Sequence, residues 1–108
     1  MSVWYRVRDL DAALAFYRET LGFDEAYVDD ADRWARLVRG GAEVALAEGE
    51  PEEGETILTL DVEDVKAEAD RLREAGVQVG TVLEIPGTIR ILDVFDLDGN
   101  RLQFSQEL

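Results

Sequence analysis

Val3, Tyr5 and Val7 alternate with Ser2, Trp4, Arg6 and Arg8, a period of two that predicts a strand with one face in a core and one turned away from it. Asp9 then stands where a helix N-cap is expected. Leu10, Ala13, Leu14, Phe16, Tyr17 and Leu21 cover one broad face of the helix that follows, and Gly22 suits the left-handed residue that ends helices. Three short strands are predicted next, at about 24–28, 33–38 and 42–47, separated by Asp29-Asp30-Ala31-Asp32 and by Gly40-Gly41. The order then repeats: a strand from Ile57 to Val62, a helix from Val65 to Ala75, and strands near 77–83, 89–95 and 101–106, with Asp98-Gly99 as the last hairpin turn.

The repeat has a fixed offset. Val7-Arg8-Asp9-Leu10 and Val62-Glu63-Asp64-Val65 lie 55 residues apart (64 − 9), and each Asp precedes a helical stretch that ends at a glycine, Gly22 or Gly76. Each half reads β-α-β-β-β. One such unit leaves a sheet face uncovered, so two must pack together to bury enough surface. The chain of 108 residues is therefore expected to form one α+β domain: module one at about 1–47, an acidic linker at 48–55, and module two at about 56–108.

Composition removes whole classes of chemistry. There is no His and no Cys, which excludes disulfides, thiol catalysis and thiolate metal sites. Twenty-five acidic against 11 basic residues give a formal charge of −14, which repels phosphate backbones and anionic lipid and attracts cationic ligands from a distance. Nucleic acid and membrane are not expected partners. Glu48, Glu50, Glu52, Glu53 and Glu55 fall in one Gly- and Pro-containing stretch that reads as solvated. No signal peptide or apolar span is visible, so a cytoplasmic location is the expectation.

Val7-Arg8-Asp9-Leu10-Asp11 through Phe16-Tyr17-Arg18-Glu19-Thr20-Leu21-Gly22-Phe23, together with Asp96-Leu97-Asp98-Gly99-Asn100-Arg101-Leu102-Gln103-Phe104, resembles the vicinal oxygen chelate superfamily. That superfamily includes glyoxalase I, extradiol dioxygenases, fosfomycin-resistance enzymes and the bleomycin-resistance proteins. The resemblance spans nearly the whole chain; Leu97 departs from the family's usual Pro, which bears on turn rigidity rather than chemistry. It implies two tandem βαβββ modules forming a curved, cup-shaped mixed sheet with helices on the outside. In the metal-dependent members it also implies inward-facing His, Glu or Gln ligands, and those positions fall here on Ser2, Ile57, Gln103 and near Ala45. Ser, Ala and Ile supply no carboxylate or imidazole, so no metal and no other cofactor is expected.

Alternation instead places Trp4, Arg6, Thr59, Asp61, Arg101, Gln103 and Ser105 on the inward face, with Asp93 and Phe95 joining from the penultimate strand and Trp34 at the open end. Arg6 and Asp61, again 55 apart (61 − 6), would meet at the centre, either as a structural ion pair or as groups that fix a polar ligand. Trp4 would stack on a planar or cationic ligand or pack across a dimer interface. Tyr5 and Tyr17 belong to the layer between helix and sheet. No catalytic constellation is recognisable. The function expected is metal-independent binding and sequestration of a cationic or aromatic organic molecule by a homodimer, after the bleomycin-resistance proteins. Two alternatives stand beside it: a metal-independent isomerase or lyase with Asp61 or Asp93 as general base, and a structural or partner-binding subunit whose cup is filled by its own side chains.

Overall fold

A computed structural model describes residues 2–52, 54 and 56–108; the side chain of Ser2 and the linker residues Glu53 and Glu55 lie outside the described residues. The alternating N-terminal segment forms β1 (Ser2–Val7), followed by α1 (Leu10–Ala15), which continues as a π-helical turn over Phe16–Thr20. Then come β2 (Asp24–Asp29), β3 (Trp34–Arg39), β4 (Ala42–Glu48), β5 (Leu58–Asp61), α2 (Val65–Glu74), β6 (Leu83–Ile85), β7 (Ile89–Phe95) and β8 (Arg101–Glu107). The order is βαβββ twice, an α+β fold.

Both helices start as the sequence requires. Asp9 accepts the N–H of Ala12 at 3.1 Å and Asp64 that of Ala67 at 3.0 Å, so the duplicated aspartates are duplicated N-caps. A second acceptor reaches each helix start from the last strand of its own module: Glu48 takes the N–H of Leu10 at 3.0 Å, and Gln106 that of Val65 at 2.9 Å. Glu48 also binds Arg33 at 2.8 Å, so the first of the five linker acids is a structural group at the end of β4 rather than a solvated one. Gly22 and Gly76 take φ of 76° and 79°, each just beyond a helix, the conformation that glycine adopts without strain.

Each module makes one four-stranded mixed sheet, in the orders β1-β4-β3-β2 and β5-β8-β7-β6, with β1–β4 and β5–β8 parallel. The sheets remain two open sheets instead of joining into one. One face of each is packed on a helix, and the core runs through both modules, with Tyr17, Leu37, Leu46, Leu72, Leu92 and Phe104 fully buried. Tyr5 fastens the modules: its hydroxyl accepts the N–H of Leu58 at 2.8 Å and donates to the carbonyl of Arg101. On the far side the Arg39 guanidinium lies 5.3 Å from the Phe104 ring centroid, donates to the Leu21 carbonyl at 2.8 Å and pairs with Glu68.

The strand expected near 77–83 is displaced. Val79 makes only an isolated bridge to Val94, and the strand that pairs with β7 is Leu83–Ile85. Gly80 brings the chain so close to β7 that a Cβ there would sit 3.4 Å from that of Asp93. The pairing is set further on, where Thr88 N–H bonds the Ile85 carbonyl at 3.0 Å across Pro86-Gly87 and Gly87 has φ of 72°.

Candidate functional site

Cross-strand register determines what the open face of the first sheet carries. Trp4 pairs with Ala45, Ala45 with Arg36, and Arg36 with Tyr27; one step along, Arg6 pairs with Ala47, Ala47 with Trp34, and Trp34 with Asp29. The small side chains of Ala45 and Ala47 on β4 leave the larger ones on either side to meet above them. Trp4 and Trp34 lie 6.0 Å apart between ring centroids at 39°, and Trp34 and Tyr27 lie 5.1 Å apart at 49°. The result is a row of three aromatic rings, of which Trp4 is 59 % and Tyr27 48 % exposed. Arg36 beside it pairs with Glu43 at 3.6 Å.

The row ends at a cavity of about 980 Å³ in the seam between the modules, with Trp4, Arg6 and Ala47 on one side, Ile57 and Arg101 on the other, and the Asp98-Gly99-Asn100 turn at its rim. That turn is held rigidly. The Asp96 carboxylate accepts the N–H groups of Asp98 and Asn100, both at 2.9 Å, the Asn100 amide at 3.0 Å and the Tyr17 hydroxyl at 2.7 Å. Burial first, then the Asp96 charge, pushes the Tyr17 hydroxyl well above its ordinary value and keeps it a donor. Asn100 also donates to the Arg6 carbonyl at 3.0 Å, which fixes the turn against β1.

Of the residues expected in a cup, the cavity gathers Trp4, Arg6 and Arg101, and Trp34 lies next to it through Trp4. Thr59 and Asp61 are exposed on β5, where Thr59 pairs with Gln103 and Asp61 with the buried Ser105. Asp93 accepts from Arg101 at 3.0 Å and from Gln103 at 3.4 Å, while Phe95 stands half-buried opposite Arg101. These residues line the open face of the second sheet and do not border the cavity. Arg6 and Asp61 do not pair: Arg6 binds Glu52 at 3.2 Å, and Asp61 has no ion pair among the described residues. The offset of 55 made them equivalent, but β1 and β5 belong to different sheets and are not neighbours in either.

Three contributors were not foreseen. Tyr27 extends the aromatic row from β2, Arg8 continues the alternation of β1 one period beyond Arg6, and Asn100 belongs to the turn that the family motif marks. Only Arg8 was legible from periodicity. Of the four positions at which metal-dependent relatives carry ligands, the side chain of Ser2 lies outside the described residues and the other three do not fit a metal: Ala45 and Ile57 have no side-chain donor atom, and the Gln103 amide is engaged with Asp93. No group of three His, Cys, Asp or Glu side chains poised for a metal occurs among the described residues.

A family model described as the Glyoxalase/Bleomycin resistance protein/Dioxygenase superfamily matches residues 2–104. No curated protein matches. Among solved structures, an integron cassette protein from the mobile metagenome of the Halifax Harbour sewage outfall is 26% identical, with 98% of this chain and 96% of that one covered and a TM-score of 0.85. A superfamily member from Sphaerobacter thermophilus is 28% identical, with 98% and 94% covered and a TM-score of 0.84. TnmS3, an antibiotic binding protein from Streptomyces sp. CB03234, is 29% identical, with 99% and 93% covered and a TM-score of 0.79.

Proposed function

The chain belongs to the glyoxalase/bleomycin resistance protein/dioxygenase superfamily, and from that premise we propose that it binds and sequesters an aromatic organic molecule without a metal and without transforming it. The observation that carries this reading is the row Trp4–Trp34–Tyr27, whose Trp4 end borders a cavity of about 980 Å³. Exposed aromatic rings in an acidic protein attract a planar ligand by burial and stacking, and a cationic one by its charge as well. The likeness to an antibiotic binding protein supports the same class of ligand. So does the poverty of metal donors at the ligand positions of the family's enzymes.

The alternatives have less support. A general base needs a partner that orients it and a substrate within reach; Asp93 is bound to Arg101 and Gln103, and the Asp61 carboxylate has no hydrogen-bond partner among the described residues. A cup filled by its own side chains requires Trp4, Arg6 and Asp61 packed together, whereas Trp4 and Arg6 border open space.

The protein is further proposed to act as a cytoplasmic homodimer. No helix among the described residues is long and apolar enough to cross a membrane. The open face of the second sheet carries Leu83 and Ile85, 58 % and 59 % exposed, next to the half-buried Ile89 and Ile91. A second copy would cover that surface.

Calorimetric titration with 2-naphthamide, a neutral planar probe, tests the binding reading. Saturable binding that weakens about tenfold in Trp4→Leu is expected, since ring stacking and burial together contribute of the order of 1–2 kcal/mol. Equal affinity in the variant would remove the aromatic row from the site.

A further inference from the structure

The charge of the whole chain and the charge of its cavity point in opposite directions. The chain carries −14, yet three of its 11 basic residues, Arg6, Arg8 and Arg101, converge on the one cavity that Trp4 borders. The field of the distant carboxylates is largely screened beyond about 8 Å at physiological salt, so groups within contact distance decide how a bound molecule is oriented. Each guanidinium has a partner, but the partners differ in kind. Arg8 is held by Asp98, which accepts both its backbone N–H at 3.0 Å and its side chain at 3.4 Å, as well as by the exposed Glu50 at 3.6 Å, and Arg101 by Asp93 at 3.0 Å. Among the described residues Arg6 is paired with Glu52 alone, at 3.2 Å, and that carboxylate is 76 % exposed on the segment between the modules.

We infer that Arg6 is the seat of a carboxylate on the ligand, so that the molecule bound is an aromatic carboxylic acid whose ring lies on Trp4 and whose acid group displaces Glu52. This rests on the binding reading above and names the chemistry of its ligand. Glu52 already shows that a carboxylate fits against Arg6. The guanidinium is also placed: it lies over Gly49, where a Cβ would come within 3.2 Å of its Nη1. Trp4 and Arg6 are two positions apart on one face of β1, with their Cα atoms separated by roughly 6.5–7 Å. Ala47, directly across from Arg6, leaves room for the incoming group. An exposed ion pair to a long, solvated side chain is weak, whereas a ligand carboxylate anchored by its stacked ring is held in place, so exchange favours the ligand.

The test is calorimetric titration of the full chain with 2-naphthoate and with 2-naphthamide, which share a ring system and differ in charge. Naphthoate is expected to bind roughly fivefold more tightly than the amide, and the preference to shrink as salt is raised. Arg6→Gln should make the two probes equal. Glu52→Gln, a change on an exposed side chain, should tighten naphthoate by about twofold or more and leave the amide unchanged. Equal binding of the two probes by the wild type, a preference that survives Arg6→Gln, or naphthoate affinity indifferent to Glu52→Gln would each overturn the inference. If the amide binds through Trp4 while naphthoate has no advantage, the carboxylate seat fails alone; if neither probe binds, the aromatic binding reading fails with it.

Discussion

Tyr17 and Asp96 tie the first helix to the turn at the cavity rim through one hydrogen bond in a buried setting, and Asp96 is the acceptor for three further N–H groups. Asp96→Asn replaces one acceptor oxygen by an amide donor that faces other donors. It is expected to cost about 2–3 kcal/mol in urea unfolding, whereas Tyr17→Phe, which removes one donor and leaves the rest, should cost about 1–2 kcal/mol. At the surface, Glu48 and Glu68 act through pH. The Arg33 hydrogen bond, then the Leu10 N–H, holds Glu48 below its ordinary value; burial works against Glu68, but Arg71 and Arg39 outweigh it and lower that group too. Groups lowered in the folded state contribute stability that is present above the ordinary glutamate value and lost as pH falls through the lowered one. The melting temperature is therefore expected to drop as pH falls below about 4.5, and to drop less steeply in Glu48→Gln. An unchanged slope would mean that Glu48 is not held as described. At this scale the sequence was informative about identity more than about partnership. Alternation placed Trp4 and Arg6 on an open face, but the partner of Arg6 came from a connecting segment that no periodicity describes.

The elements themselves were largely legible. Asp9 and Asp64 cap their helices as the offset of 55 required, and Asp64→Ala is expected to cost about 1 kcal/mol in chemical denaturation because the Ala67 N–H loses its acceptor. The π-helical turn at Phe16–Thr20 was not legible, since the apolar positions of that segment fit a helical face whether the hydrogen bonds run to the fourth or the fifth residue. β6 was misplaced for a related reason. Val77, Val79 and their neighbours alternate well enough for a strand, but a strand also needs a partner along its length, and Gly80 interrupts the pairing after a single bridge. The turn at Pro86-Gly87 was the better signal, because Gly87 alone among its neighbours takes a positive φ at no steric cost. Gly87→Ala is expected to lower stability by about 1 kcal/mol, read by thermal unfolding.

For the whole molecule, duplication explains both what the chain contains and what it lacks. Two βαβββ modules share one core through Tyr5, Arg39 and Phe104, and each leaves one sheet face open. The first open face carries the aromatic row and the second an apolar strip at Leu83 and Ile85. If a second copy covers the strip, as proposed, Leu83→Asp with Ile85→Asp yields a folded monomer in analytical ultracentrifugation where the wild type sediments as a dimer; an unchanged sedimentation coefficient would assign the strip elsewhere. The fold and family could be read from the motifs at the two ends of the chain. The site could be read only in part, because the cavity lies where the modules meet and its rim is built from residues nearly a hundred positions apart, such as Arg6 and Asn100.

Sequestration without a metal is tested most directly by titrating the chelator-treated protein with 2-naphthamide, followed by addition of Mg²⁺, Mn²⁺, Ni²⁺ or Zn²⁺ and chromatographic recovery of the probe. Saturable binding in the presence of chelator is expected, with an affinity that none of the four ions changes and full recovery of the probe unaltered. Binding that appears only when one of the ions is added would contradict metal-free sequestration.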